Sequence, residues 1–374
     1  MAESHDVIVI GGGACGATVA LFLLREGLSV ALFDQGRAGR EASWASAGII
    51  GPRSSATCDP WFLEATTLSR RLYDELIPEL QQQTGIAVGY GGEGGLLFGR
   101  TREEHRMLED AARLQLAASV PTTLLDTAAA RNREAALPEN VTGAVWWPED
   151  RFLDARAYTE ATVRAVVMSG GMLYEGIGIT GLEWQGSKII GVRSGGERWL
   201  ADTVINAAGA WAGNVDPRLS HPVYPFHGQI MAVSTPPCGL RHNLSRPGIE
   251  GYVTPRTDGR VIFGATHEMN GYKKCITPAG IRFLGVLVDE LLPDAREMEV
   301  LDMWSGLRPG SHDNLPTVGP DPRVTSGYLW AAGHSAWGMQ QIPATASVVT
   351  ELVLRRTLSL STHQLGVERH LDLP

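Results

Sequence analysis

The chain has 374 residues, 44% of them hydrophobic, and a formal net charge of -9. That length admits two domains or one large one. The acidic balance argues against a nucleic-acid-binding surface or adhesion to anionic lipid, and no apolar run approaches the roughly 18 residues of a membrane-spanning helix. In chain order, the opening MAESHD has no basic region and no cleavable apolar segment, which predicts no secretory leader. Val7 to Ile10 is short and uniformly apolar, the pattern of a buried parallel strand. It ends in Gly11-Gly12-Gly13, with Gly16 following. Gly11 permits a tight turn, Gly13 lets a pyrophosphate approach the backbone, and Gly16 lets the next helix lie close to the sheet. A helix from about Ala14 to Glu26 then aims its first N–H groups at phosphates, and Gly27 is placed to end it. Val30 to Phe33 is a second strand, and Asp34 follows, where a carboxylate accepts hydrogen bonds from ribose hydroxyls. The whole reads as a dinucleotide-binding unit. A glycine-rich turn in an ordinary α/β protein is the plain alternative.

Gly39 to Pro52, GREASWASAGIIGP, is crowded with small residues. A flat flavin ring lying against backbone needs such a segment, and a nicotinamide cofactor has no obvious use for it. Read alone, it is also an ordinary Gly/Ala/Ser loop. Arg102 to Ala118 reads as an exposed helix. Thr203–Asn206 has parallel-strand character. Gly94–Phe98, Gln229–Val233, Gly251–Thr254 and Val261–Gly264 have antiparallel character. Thr277 to Leu292 is an amphipathic helix capped by Thr277, with Ile281, Leu284, Leu287, Val288 and Leu291 as its apolar stripe. Tyr328–Ala332 is a late apolar strand running into Gly333-His334. The expected fold class is mixed α/β: a Rossmann-like nucleotide-binding domain interleaved with a domain built on a mainly antiparallel sheet. The boundaries expected are 1–85, 150–222 and 310–374 for the first, and 86–149 and 223–309 for the second. Four cysteines, Cys15, Cys58, Cys238 and Cys275, lack CxxC spacing. This fits a reducing cytoplasm and gives no metal site. Cys15 is expected to pack rather than react.

GGGACG, EASWASAGI, INAAGAWAG (205–213), GYVTPR (251–256), GRVIFGATHE (259–268), WSGLRPG (304–310) and AAGHSAWGM (331–339) occur in this order. Together they resemble the glycine oxidase/D-amino acid oxidase family, most closely the glycine oxidase branch linked to thiamine biosynthesis. The resemblance runs from Asp6 to about Leu354. It implies FAD and a two-domain fold; some relatives tether the flavin, but none of the four cysteines falls in a motif matching such a tether, so the FAD is expected to be non-covalent. It also implies oxidation of an amino acid Cα–N bond, by hydride transfer from Cα to flavin N5, with O2 reduced to hydrogen peroxide. The implied substrates are glycine, sarcosine or a small D-amino acid. The implied cofactor set is Gly11, Gly13, Ala14, Cys15, Gly16, Asp34, Gln35, Arg40, Ala42, Ser43, Ala47, Gly48, Ile49, Ile179 and Gly209. To it the last motif adds Gly333, His334, Ser335, Ala336, Trp337, Gly338, Met339 and Gln340. Arg308 matches the residue that holds the substrate carboxylate, where a guanidinium fork fits best, and Tyr252 matches the tyrosine that reaches the same group. Family members are often homo-oligomers, and nothing in the residues fixes a stoichiometry.

The sequence departs from the branch at the expected pocket. Glycine oxidases resemble GHFRNG after the glycine–histidine pair; here the loop is GHSAWGM, so Ala336 replaces a second arginine and Trp337 follows. Glu250 stands where the branch has a histidine, and His267 replaces an apolar wall residue. Ile49 stands in place of a methionine found in some members. Trp337 is expected near the substrate or the flavin. Three other readings stay open. One is a dehydrogenase of the same fold that passes electrons to a quinone or protein. Another is a flavoprotein without amine chemistry that serves assembly or binding. The weakest is a nicotinamide-dependent reductase, for which no second glycine fingerprint follows a strand.

Overall fold

The computed structural model describes residues 3–52, 60–220 and 223–371; Cys58 lies outside them. Two eight-stranded sheets organise the chain. In the first, six strands lie in the order Thr317–Pro320, Tyr328–Ala332, Glu197–Asn206, Glu3–Ile10, Val30–Phe33, Met172–Tyr174, and two more branch off, Lys188–Ser194 pairing antiparallel with Glu197–Asn206 and Gly181–Gln185 with Lys188–Ser194. The last five of the six run parallel, and Thr317–Pro320 pairs antiparallel at the edge. Alternation along the first strand explains why it reads as uniformly apolar. Val7 and Val9 join a core with the helices Ala14–Arg25, Pro60–Thr84, Ala155–Met168 and Gly338–Val353. Ile8 and Ile10 join a separate core with Leu182, Val192, Trp199 and Trp330 on the other face. Both faces are covered along Val7–Ile10, so no position in that stretch is left polar. The strand begins at Glu3 rather than Val7 because Glu3, Ser4 and His5 continue its register against Trp199, Leu200 and Ala201.

The second sheet orders Val300–Gly310, Tyr224–Ser234, Arg260–Gly264, Tyr252–Pro255, Asn243–Ser245, Gly95–Gly99, Gly143–Trp147, Thr123–Leu125. It is antiparallel except where Asn243–Ser245 runs parallel to Gly95–Gly99, so the strand expected at Gly94–Phe98 has one antiparallel and one parallel neighbour. One face packs on the helix Pro278–Leu291 through Leu284, Leu287, Val288 and Leu291. Ile281, expected on that stripe, is exposed instead. The core has ended at the helix's first turn, where Gly280 packs on Gln229 so closely that a Cβ would lie 2.2 Å from the amide oxygen. The helix Arg102–Ala117 carries the reciprocal Thr101/Glu104 capping box. It is not exposed throughout, since it buries Leu108, Ala112 and Gln115. The opposite face of the sheet holds Ile230, Ile262, Trp304 and Ala265 against Ala45 and Ala47. The small-residue segment therefore sits where the two sheets meet. Among the described residues no helix is long and apolar enough to cross a membrane.

Candidate functional site

A cleft runs from Asp34 at the end of the second strand of the first sheet to Arg308 on the second sheet. With its open mouth it encloses about 1640 Å³ free of protein atoms. It lies at the carboxyl ends of the parallel strands, beside the first strand, where the strand order reverses. Gly11 has φ +104°, and a Cβ there would lie 2.3 Å from the Ala207 carbonyl oxygen. A Cβ on Gly16 would meet the Gly11 carbonyl at 1.9 Å, so only glycine lets the helix pack this close to the turn. The helix Ala14–Arg25 opens with Gly13 at its cap, which offers no side chain, and without an acidic residue in its first turn; the Ala14 N–H donates to Ser43 Oγ at 2.9 Å. The helix Gly338–Val353 opens behind Trp337, likewise without an acidic residue in its first turn. Gly338 and Met339 line the same cleft as Gly13 and Ala14, so two helix N-termini present N–H groups and positive dipole ends to one space. The Asp34 carboxylate accepts N–H groups from Gly12 at 2.9 Å and Gly36 at 2.8 Å, which fixes it beside the turn.

The small-residue wall is braced from behind. Trp304 Nε1 donates to the Ala45 carbonyl at 3.1 Å and Arg156 Nε to the Trp44 carbonyl at 3.1 Å. Arg256, buried, donates to the Ala47 carbonyl. Burial depresses the Arg256 pKa to about 10, still high enough to leave it charged. Gly48 has φ +62°, and a Cβ would lie 2.1 Å from the Leu153 carbonyl oxygen. Gly306 faces this wall, where a Cβ would fall 2.3 Å from that of Ala45.

At the other end, Phe226 stands opposite Arg308 in register and Gly228 opposite Gly306. The Arg308 guanidinium lies over Gly228, where a Cβ would sit 2.4 Å from Nη1. Nη1 donates to the Thr266 carbonyl at 3.0 Å. A guanidinium has five N–H donors, and among the described residues no carboxylate pairs with this one. Tyr252 shares the cleft, and its hydroxyl has no hydrogen-bond partner among the described residues. Burial pushes its pKa up, and the charges of Arg308 and Arg256 only partly oppose that. The phenol therefore stays protonated and can donate. His334 is buried and its pKa is depressed to about 4 by burial, so the ring is neutral. Its Nε2 lies 3.0 Å from Thr345 Oγ1.

Of the residues expected at the site, the cleft brings together Gly11, Gly13, Ala14, Cys15, Asp34, Gln35, Arg40, Ala42, Ser43, Ala47, Ile179, Gly209, Tyr252, Arg308, His334, Ser335, Ala336, Gly338 and Met339. Gly16, Gly48, Ile49, Gly333 and Gln340 shape or back it without lining it. Glu250 and His267 are exposed and outside the lining. His267 packs edge-on against Phe226 with ring centroids 4.5 Å apart. Burial and then Arg308 lower its pKa, and Glu250 opposes them. The three groups are thus electrostatic neighbours. Trp337 is 36% exposed and stacks edge-on against Phe62 rather than lining the cleft. Its position next to a lining residue gave no sign of this, because a short 3-10 turn at Ser335–Trp337 rotates it outward. Glu41, Trp211, Asn214, Gly228 and Gly306 line the cleft and escaped the sequence reading. INAAGAWAG held a signal for Trp211; nothing around Gly228 did, since its role is to make room for a side chain from a distant strand.

The family profile described as DAO, FAD dependent oxidoreductase, matches residues 6–352. The chain belongs to this family. The oxidoreductase is 29% identical to the glycine oxidase of Geobacillus kaustophilus, over 99% of this chain and 98% of that one. It is 30% identical to the bifunctional protein ThiO/ThiG of Synechocystis, over 99% of this chain and 55% of the relative. The crystal structure of the Geobacillus kaustophilus glycine oxidase superposes with a TM-score of 0.93, covering 99% of this chain and 100% of that one at 29% identity. The cofactor of the oxidoreductase is FAD, and its cleft fits the dinucleotide: two helix N-termini without an acidic residue in the first turn for anionic groups, a fixed carboxylate for a ribose, and a wall without bulky side chains.

Proposed function

We propose that the protein is an amino acid oxidase that takes glycine, sarcosine or a small D-amino acid and yields the oxo acid, ammonia (or a primary amine from an N-alkyl substrate) and hydrogen peroxide. The observation that carries this reading is Arg308. A half-buried guanidinium with four N–H donors left over and no acidic partner among the described residues is a receptor for a carboxylate. The reading extends to the two domains expected from the sequence, one for FAD and one for substrate.

FAD, when bound, supplies the two-electron acceptor. The chain's own residues bind and orient. Arg308 takes the substrate carboxylate through its free N–H edge, and the Tyr252 hydroxyl donates to the same group. Two fixed points turn the rest of a small substrate toward the small-residue wall at Ala45 to Ala47. Among the described residues the lining holds no group suited to remove a proton at this end. Tyr252 remains protonated, His334 is buried against Thr345, and the carboxylates of Asp34 and Glu41 border the glycine turn and the segment after it. The amine must therefore arrive neutral, or lose its proton to water. Product imine hydrolyses without help from the chain. Glu250, exposed outside the lining and an electrostatic neighbour of His267, favours substrates with a basic side chain.

FAD is held without a covalent bond. Cys15 is the cysteine in the lining, and burial pushes its thiol up to about 12, away from the nucleophilic thiolate. Denaturation in acid should leave the pellet colourless. The free thiols of Cys15, Cys238 and Cys275 support a cytoplasmic setting. The proposal is tested by peroxide release from the FAD-loaded protein with glycine, sarcosine, D-alanine and D-proline. Peroxide formed in step with substrate supports it. Flavin reduced by these amines but reoxidised slowly in air would transfer the reading to a dehydrogenase with a quinone or protein acceptor.

A further inference from the structure

Arg308 is oriented by a carbonyl rather than by an acid, and that carbonyl belongs to a segment tied to the strand Tyr224–Ser234 by backbone bonds and by the side chain of one glutamate. Thr266 lies along the strand Tyr224–Ser234: its N–H donates to the Gln229 carbonyl at 3.3 Å, and its Oγ1 accepts the Gln229 N–H at 2.9 Å. Two residues on, Glu268 and His227 exchange backbone hydrogen bonds, both at 2.9 Å. The Glu268 side chain then makes a second layer of contacts. Its Oε1 accepts from Gln229 Nε2 at 2.6 Å, and its Oε2 accepts from Asn270 Nδ2 at 2.9 Å and lies 3.4 Å from His227 Nδ1. His227 and Gln229 are fully buried, and the returning end of the segment closes on them. The Cys275 N–H donates to His227 Nε2 at 3.3 Å and the Thr277 N–H to Gln229 Oε1 at 2.8 Å. An accepting Nε2 leaves the proton of a neutral ring on Nδ1, the nitrogen that faces Glu268.

We propose that Glu268 is a positioning residue for substrate binding: its carboxylate clamps the start of the 266–277 segment onto the strand below and so presents the Thr266 carbonyl that aims Arg308. This rests on the reading of Arg308 as the carboxylate anchor. The physical reason is geometric. A bidentate guanidinium–carboxylate pair tolerates little misplacement, and a free arginine side chain has rotamer freedom to lose on binding. Thr266 removes that freedom in advance. The rest of the segment has its own ties, Lys274 to Glu41 at 2.7 Å and the Tyr272 hydroxyl to the Ala210 carbonyl at 3.1 Å, so loss of the Glu268 carboxylate leaves it attached at its tip.

The test uses FAD-loaded protein and glycolate as a carboxylate probe, titrated through the change in flavin absorbance. Glu268→Ala is expected to weaken glycolate binding about tenfold, near the worth of one charge-assisted hydrogen bond, with FAD affinity unchanged. Glu268→Gln, which keeps the shape but swaps an acceptor for a donor, is expected to lose about threefold, and carries the test if the alanine variant does not load FAD. Combined with Arg308→Ala, either change should add nothing further, since Glu268 acts through Arg308. Losses that add in the double variant, or unchanged glycolate binding in both Glu268 variants while Arg308→Ala weakens it, would overturn the positioning role alone. Unchanged binding in Arg308→Ala would overturn the carboxylate-anchor reading itself.

Discussion

Arg308→Ala is the sharpest perturbation of the proposed substrate site. The guanidinium spends one N–H on the Thr266 carbonyl and keeps four for a ligand. A carboxylate bound by two of them makes two charge-assisted hydrogen bonds in a half-buried setting. Such bonds are worth roughly 1.5–3 kcal/mol each and are not fully additive. Water replaces part of the loss when the side chain is removed, which leaves about 2–4 kcal/mol, or roughly thirty- to a thousandfold in kcat/KM. Arg308→Lys keeps the charge without the fork and should recover part of this, leaving a loss of about tenfold. The assay is steady-state peroxide release against substrate concentration, with FAD content checked for each variant. Arginine that only binds raises KM; arginine that also aims Cα lowers kcat as well. Full activity in Arg308→Ala, with FAD bound, would refute the reasoning, because no other free cation borders Tyr252 in the cleft among the described residues.

Asp34→Ala removes the carboxylate that accepts the Gly12 and Gly36 N–H groups. It should weaken FAD binding by roughly tenfold or more, measured by fluorescence of released flavin; unchanged retention would deny Asp34 a ribose role. Ala336→Arg puts a second cation on the lining at an exposed position and should tighten glycolate binding about tenfold; no change would mean that this position does not reach the carboxylate. His334 gives a pH dependence. Its folded pKa is depressed to about 4, while the unfolded ring titrates near 6.5. Below about pH 6.5 the unfolded chain binds the proton that the folded one refuses, so stability falls with pH down to about 4, by roughly 3 kcal/mol in all. Thermal melting of the parent and of His334→Gln from pH 7 to pH 4.5 should show a shallower decline in the variant; parallel declines would contradict the assignment.

The nucleotide end of the site was legible because its physics is local. Gly11, Gly13, Gly16 and Asp34 act within one strand–turn–helix–strand unit, and each residue type is required by backbone geometry that neighbours in sequence create. The proposed substrate end is assembled from strands far apart in the chain. Arg308 lies over Gly228, Thr266 holds Arg308, and Glu268 contacts His227 and Gln229 across the sheet. Spacing within any one of those segments carries no trace of the others. Arg308 and Tyr252 were reached through the resemblance of their motifs, and Gly228 and Glu268 had no such guide. Trp337 shows the converse. It follows Ala336 on the lining, yet the turn that starts the last long helix sends it out to Phe62. Ile281 fits the helical period but lies past the edge of the core that gives the period its meaning. Periodicity reports a face, and only the fold says where the partner of that face stops.

Anaerobic titration of the FAD-loaded protein with glycine, sarcosine, D-alanine, D-proline and larger N-alkyl amino acids tests the central claim most directly. The account predicts that at least one small member of this series bleaches the flavin absorbance with a saturable rate, and that Arg308→Ala requires far higher concentrations of the same amine. Flavin that stays oxidised with every member of the series would contradict amino acid oxidation at this cleft.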